Sequence, residues 1–189
     1  QPTWVSSSTV AGGALEFHGS YSNNSASDGY GEYVEIPVIT SSFGLDGSGD
    51  GSTISWWMKR AIDYGNNANY TMRVFFGSNH YSLIDSRIDG GKWKLYVESN
   101  ANTAPALMSN TSNVTADTEW HHNVLSGQDG IMKWYIDGEL EVTRNLGDVV
   151  GDSQYYHLSR SIAINAIGKG SYNENGNMSY GSAFSGSID

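Results

Sequence analysis

Apolar and polar residues alternate along this chain in short runs, and polar, glycine-bearing stretches separate one run from the next. A period of two is what a strand with one buried and one solvated face requires, so the pattern commits the chain to sheet and leaves little room for helix. The runs fall at residues 13–17, 33–36, 53–58, 70–76, 81–88, 92–98, 120–126, 132–136, 139–143 and 162–167, which predicts about ten strands. Six Trp, twelve Tyr and five Phe beside 23 Gly and only three Pro fit the same picture, because aromatic residues favour pleated surfaces and glycine serves tight turns. A length of 189 residues suits one well-buried core, and the reading is a single domain over residues 1–189.

Two hairpins are expected from turn chemistry. Trp134-Tyr135-Ile136-Asp137-Gly138-Glu139-Leu140-Glu141-Val142 carries Asp-Gly between alternating arms, and Arg87-Ile88-Asp89-Gly90-Gly91-Lys92 offers a second Asp-Gly. Residues 18–31, 61–69, 99–118, 145–160 and 169–182 read as long polar loops. Ten Lys and Arg against twenty Asp and Glu give a formal charge of −10, which repels phosphate backbones and anionic lipid surfaces and speaks against nucleic acid as a partner. With no cysteine, disulfides and thiolate metal sites are excluded. No apolar run approaches the ~20 residues that span a bilayer, so membrane insertion is not expected.

Several segments together resemble a known family. Pro2-Thr3-Trp4-Val5 with Gly13-Ala14-Leu15-Glu16-Phe17 looks like an opening pair, Gly31-Glu32-Tyr33-Val34-Glu35-Ile36-Pro37 like a second strand, and Thr53-Ile54-Ser55-Trp56-Trp57-Met58-Lys59 like a central one. Glu119-Trp120-His121-His122-Asn123-Val124, then Asp129-Gly130 with Trp134-Tyr135-Ile136-Asp137-Gly138, and Phe184-Ser185-Gly186-Ser187-Ile188-Asp189 follow in order. The whole chain thus resembles the laminin-G-like, pentraxin-like branch of the concanavalin A-like lectin/glucanase superfamily. The resemblance implies an all-β jelly-roll sandwich of two antiparallel sheets. It also implies one more strand after the closing segment, expected to be absent or supplied elsewhere.

Catalysis is not expected. Glycoside hydrolysis needs two carboxylates roughly 5–9.5 Å apart; Glu139 and Glu141 alternate correctly but sit at a strand end, and Glu32 and Glu35 point to opposite faces. No P-loop, nucleophile elbow or dinucleotide fingerprint is present. His121 and His122 are adjacent in a strand, so they face opposite sides and cannot grip one metal; the inward ring is expected to be satisfied by a backbone partner. Trp56, Trp93, Trp120 and Trp134 read as packing residues.

Calcium is the expected cofactor, since loops rich in Asp, Asn and Gly supply the oxygen ligands it takes. The candidate ligands are Asp28, Asp46, Asp50, Asn79 and Asp189. For glycan contact, an aromatic platform with amide hydrogen bonds points to the loop residues Tyr30, Tyr64, Asn66, Asn67, Tyr70, Tyr172 and Asn173. The resemblance implies an extracellular or cell-surface module, or one on a phage particle. It would bind a glycan or polysaccharide with calcium as part of a larger adhesin, secreted enzyme or phage structural protein. The alternative is a structural or protein- and peptide-interaction module.

Overall fold

Thirteen strands and no helix make up the residues that the structure, a computed structural model, describes: 3–5, 13–18, 34–41, 51–61, 70–76, 83–89, 92–98, 108–115, 117–145, 162–167 and 186–189. In chain order they are β1 (Thr3–Val5), β2 (Ala14–Phe17), β3 (Val34–Ser41), β4 (Ser52–Arg60), β5 (Tyr70–Phe76), β6 (Leu83–Asp89) and β7 (Lys92–Glu98). The remainder are β8 (Met108–Thr115), β9 (His121–Gln128), β10 (Ile131–Ile136), β11 (Glu139–Asn145), β12 (Ile162–Ile167) and β13 (Gly186–Ile188). They form a seven-stranded sheet, β1-β2-β13-β4-β9-β10-β11, and a six-stranded sheet, β3-β12-β5-β6-β7-β8, each antiparallel throughout.

The two inner faces share one core. Phe17, Trp56, Met58, Leu125, Met132, Trp134, Ile136 and Ile188 come from the seven-stranded sheet, and Trp93 and Leu95 from β7 opposite. Alternation is strict where it counts: in β4 the buried positions are Trp56, Met58 and Arg60, and in β10 they are Met132, Trp134 and Ile136. The buried indole N–H of Trp134 donates to Asn123 Oδ1 at 3.1 Å, so that donor does not go unpaired in the core. At one side of the sandwich the Asn113 N–H donates to Glu141 Oε2 at 2.7 Å and ties β8 to β11.

The hairpin at Asp137-Gly138 forms as expected, with φ of 52° and 87°, the double left-handed turn whose twist matches the strands. Asp129-Gly130 makes the same turn between β9 and β10, with φ of 50° and 74°. In the other expected hairpin Asp89 pairs with Lys92, so Asp89 ends β6 instead of belonging to the turn.

Two expectations need correction. Residues 99–118 were expected to be loop, yet β8 lies within them at the edge of the six-stranded sheet, its Ser112 buried and bonded to Val114 O at 3.1 Å. A strand with serine, asparagine or threonine at six of its eight positions carries no apolar alternation to read. Trp120 is half-buried just before β9 and is not part of the core cluster, because the next residue, His121, is the one that faces inward.

The closing segment is a strand in the interior of the sheet. β13 pairs with β2 on one side and β4 on the other. Gly186 makes this possible: its φ is 144°, and a Cβ there would sit 2.0 Å from the Lys59 carbonyl oxygen.

Candidate functional site

The adjacent pairs Trp56-Trp57 and His121-His122 divide between the two faces of the seven-stranded sheet. Trp56 and His121 point inward; Trp57 and His122 point outward and meet, since Trp57 is the register partner of His122. Their rings stack with centroids 4.8 Å apart and planes 22° from parallel. The Ser55 hydroxyl hydrogen-bonds His122 Nε2 at 2.8 Å and fixes the imidazole in that plane.

The next rows of the same face follow from register. Ser55, Val124 and Tyr135 lie side by side on β4, β9 and β10, then Thr53, Ser126 and Lys133. A groove of about 440 Å³ opens over these rows, lined among others by Gly51, Thr53, Ser126, Asp129, Lys133 and Tyr135. Row spacing along a strand is about 7 Å, so groove and aromatic stack adjoin. The groove and the stack beside it therefore offer a flat indole–imidazole surface, the Tyr135 phenol, the hydroxyls of Ser55, Thr53 and Ser126 and the Lys133 ammonium group. Asp129 is the one carboxylate lining the groove, so the paired carboxylates of a glycosidase are not present there among the described residues.

Behind this face lies a charged cluster that the sequence did not reveal. His121 is buried, but its partners are carboxylates, not the backbone group expected: Nδ1 meets Asp137 Oδ2 at 2.7 Å and Nε2 meets Asp117 Oδ1 at 2.9 Å. With an acceptor at each nitrogen, both must carry protons, and the ring is an imidazolium. Burial works against that charge. The hydrogen bonds to Asp137 and Asp117 and the charges of both carboxylates outweigh it and hold the ring above the ordinary histidine range. For Asp117, burial raises the carboxyl, while the Glu119 N–H, the imidazolium and the nearby Arg60 charge together hold it below the ordinary carboxylate range.

Arg60 is buried, donates from Nε to Asp117 O at 3.0 Å and lies over the Trp93 ring at 5.2 Å. Trp93 in turn meets His121 edge-on at 5.9 Å. Asp137 links this interior cluster to the outer face: its Oδ1 accepts the His122 N–H at 2.8 Å, and its own N–H donates to His122 O at 2.8 Å.

Most of the site residues expected from sequence fall outside the described residues: Tyr30, Tyr64, Asn66, Asn67, Tyr172 and Asn173, and the candidate calcium ligands Asp28, Asp46, Asp50 and Asn79. Tyr70 begins β5 in the six-stranded sheet, and Asp189 is exposed at the end of β13 in the other. Asp189 pairs through its backbone with Trp57, at 2.9 and 3.1 Å, which sets it beside the aromatic stack. Among the described residues no group of three or more His, Asp or Glu is arranged to hold a metal ion. Sequence reasoning missed Trp57, Tyr135 and Lys133; the one available signal was that a Trp-Trp doublet in a strand must turn one ring outward.

A family model described as the concanavalin A-like lectin/glucanases superfamily, of laminin G type, matches residues 28–189. The chain belongs to this superfamily. Among solved structures, the laminin-G-type domain is similar to domain 4 of a GH43 extracellular arabinanase from Geobacillus stearothermophilus in complex with arabinotriose. The TM-score is 0.56 at 17% identity, over 100% of this chain and 72% of that one. It is similar to the binding domain of botulinum neurotoxin serotype G, with a TM-score of 0.53 at 12% identity over 99% of this chain and 41% of the other. A family 7 alginate lyase in complex with product aligns at 0.51 and 10% identity, over 98% and 78%. No curated protein matches the sequence. These likenesses establish a concanavalin A-like jelly roll, a fold shared by binding domains and by an enzyme, so the laminin-G-type site itself must carry the functional argument.

Proposed function

We propose that this domain is a non-catalytic glycan-recognition module and that the outer face of the seven-stranded sheet is its binding surface. The observation that carries the reading is the stacked Trp57–His122 pair adjoining the 440 Å³ groove. A sugar presents an apolar ring face and a rim of hydroxyls; the indole and the Tyr135 ring meet the first, and Ser55, Thr53 and Ser126 meet the second. Support also comes from the arabinanase domain, which shares the fold and was solved with arabinotriose. The module's setting in this proposal is extracellular, at a cell surface or on a phage particle, within a larger adhesin, secreted enzyme or structural protein.

Calcium assistance belongs to the proposal as well. Its support is the stretch carrying Asp46 and Asp50, which runs directly into Gly51 at the groove. Glycan-array binding by the wild type and Trp57→Ala, with calcium and with EDTA, tests both parts. The expected result is glycan binding that Trp57→Ala weakens tenfold or more at unchanged fold, and a melting temperature that calcium raises and EDTA lowers. Binding that survives Trp57→Ala places the site elsewhere, and indifference to EDTA removes calcium from the account.

A second reading, a protein-interaction module, has one observation in its favour: both edge strands of the seven-stranded sheet expose a large hydrophobe, Trp4 at 63% on β1 and Leu140 at 52% on β11. Sedimentation that shows self-association, lost in Leu140→Lys, would support it.

A further inference from the structure

We propose that the groove selects acidic sugars, with the Lys133 ammonium group receiving the negative charge; this rests on the glycan-binding reading above. Twenty carboxylates against ten Lys and Arg make it easy for a cation in this chain to find an internal partner. Lys133 has not done so. Among the described residues His18 pairs with Glu16 and His121 with Asp117 and Asp137, and no carboxylate reaches Lys133. Lys133 instead stands exposed on β10 with Ser126 beside it on β9, Thr53 beyond on β4 and Thr143 opposite on β11. All three other strands of its row thus present hydroxyl side chains there, and no carboxylate occupies that row.

That arrangement suits a ligand anion. An ammonium group is a compact point charge with three donors, and flanking hydroxyls can complete the hydrogen bonding of a carboxylate or sulfate oxygen set without competing for the positive charge. The rest of the chain carries a strong negative excess, which repels anions at distance. Selection for an acidic ring therefore has to be made by local contact, at a cation kept clear of internal acids. Asp129 at the groove's end adds discrimination, since it disfavours a second negative charge on that side of the bound ring. The groove's size, within the roughly 300–1,000 Å³ usual for ligand sites, accommodates a short stretch of a chain and not an extended polyanion surface.

The test uses an array of matched pairs: uronate-, sialate- and sulfate-bearing oligosaccharides, each beside its carboxyl-reduced, desialylated or desulfated counterpart. Wild type, Lys133→Gln and Trp57→Ala are compared. The expected result is at least tenfold tighter binding to the acidic member of one or more pairs, with the carboxylate and sulfate arms showing which anion is taken. Lys133→Gln should equalise the members of a pair at unchanged melting temperature, and Trp57→Ala should weaken both. Equal binding of acidic and neutral members by the wild type, or a preference that Lys133→Gln retains, overturns acid selection. If Trp57→Ala still abolishes binding in that case, the glycan-binding face stands without it. Binding to no member of any pair overturns both proposals.

Discussion

Asp137→Asn removes one charge from the His121 cluster and replaces one of two acceptor oxygens by an amide donor, so either the His121 Nδ1–H or the His122 N–H loses its acceptor. Asparagine has nearly the same shape and tolerates the left-handed backbone, φ 52°, that residue 137 adopts at the β10–β11 turn. A hydrogen bond to a charged group contributes about 1.5–3 kcal/mol. Asp137 is 43% exposed on its side chain, so solvent screening moves the expectation to the lower end, about 1.5 kcal/mol. For a domain of this size that corresponds to a fall in Tm of about 3–6 °C.

The pH dependence is the sharper part of this prediction. His121 has a folded-state pKa raised above its unfolded value of about 6.5, so its contribution is complete below that pH and is lost as pH rises through the folded-state value. Asp117 works in the other sense: its depressed pKa gives stability that is complete above about 3.9 and is lost as pH falls through the lower folded-state value. Urea or thermal unfolding of wild type and Asp137→Asn at pH 5.5 and pH 9 should show the larger difference at pH 5.5. An equal difference at both values would falsify the assignment of a buried imidazolium.

Three further outcomes follow from the packing. Gly186→Ala must place a Cβ against the Lys59 carbonyl, so it should cost more than ~3 kcal/mol or prevent folding, whereas Gly130→Ala, with open space at its Cβ and φ 74°, should cost only about 1–2 kcal/mol in denaturant titrations. Trp134→Phe leaves the buried Asn123 oxygen without its donor and should cost about 2–4 kcal/mol; adding Asn123→Leu should recover part of that. Glu141→Ala removes the acceptor of the Asn113 N–H in an exposed bond, and calorimetry should show a loss of about 0.5–1 kcal/mol.

The sheets were legible wherever alternation involved large side chains. β5, β7 and β12 occupy the expected residues because Tyr, Phe, Trp, Leu and Ile mark their runs. The Asp-Gly at 137–138 was readable for a different reason: few dipeptides accept two successive left-handed residues. β8 was not readable, since Met108-Ser-Asn-Thr-Ser-Asn-Val-Thr115 is held by its place at a sheet edge and not by an apolar face of its own.

The site failed to appear in the sequence for a related reason. The stacking of Trp57 on His122 depends on β4 and β9 pairing in one register and no other, a long-range fact that neither doublet contains. The carboxylates of Asp117 and Asp137 reach His121 from two separate turns, which local pattern cannot announce. Reasoning from alternation did establish that His121 and His122 serve different faces, and that part of the argument survived intact.

The position of β13 shapes how this chain can come off a ribosome. Within the seven-stranded sheet, β1 and β2 reach β4 only by way of β13, so these two strands must wait for one that lies far downstream in the sequence. The consecutive strands β9, β10 and β11 need only short loops to pair and can nucleate early, whereas closing β2 onto β13 spans nearly the whole sequence and is entropically slow. Until then β2 and β4 each present an open edge to the crowded surroundings of a nascent chain, and mispairing at those two edges is the step in its biogenesis where this domain is most exposed to aggregation.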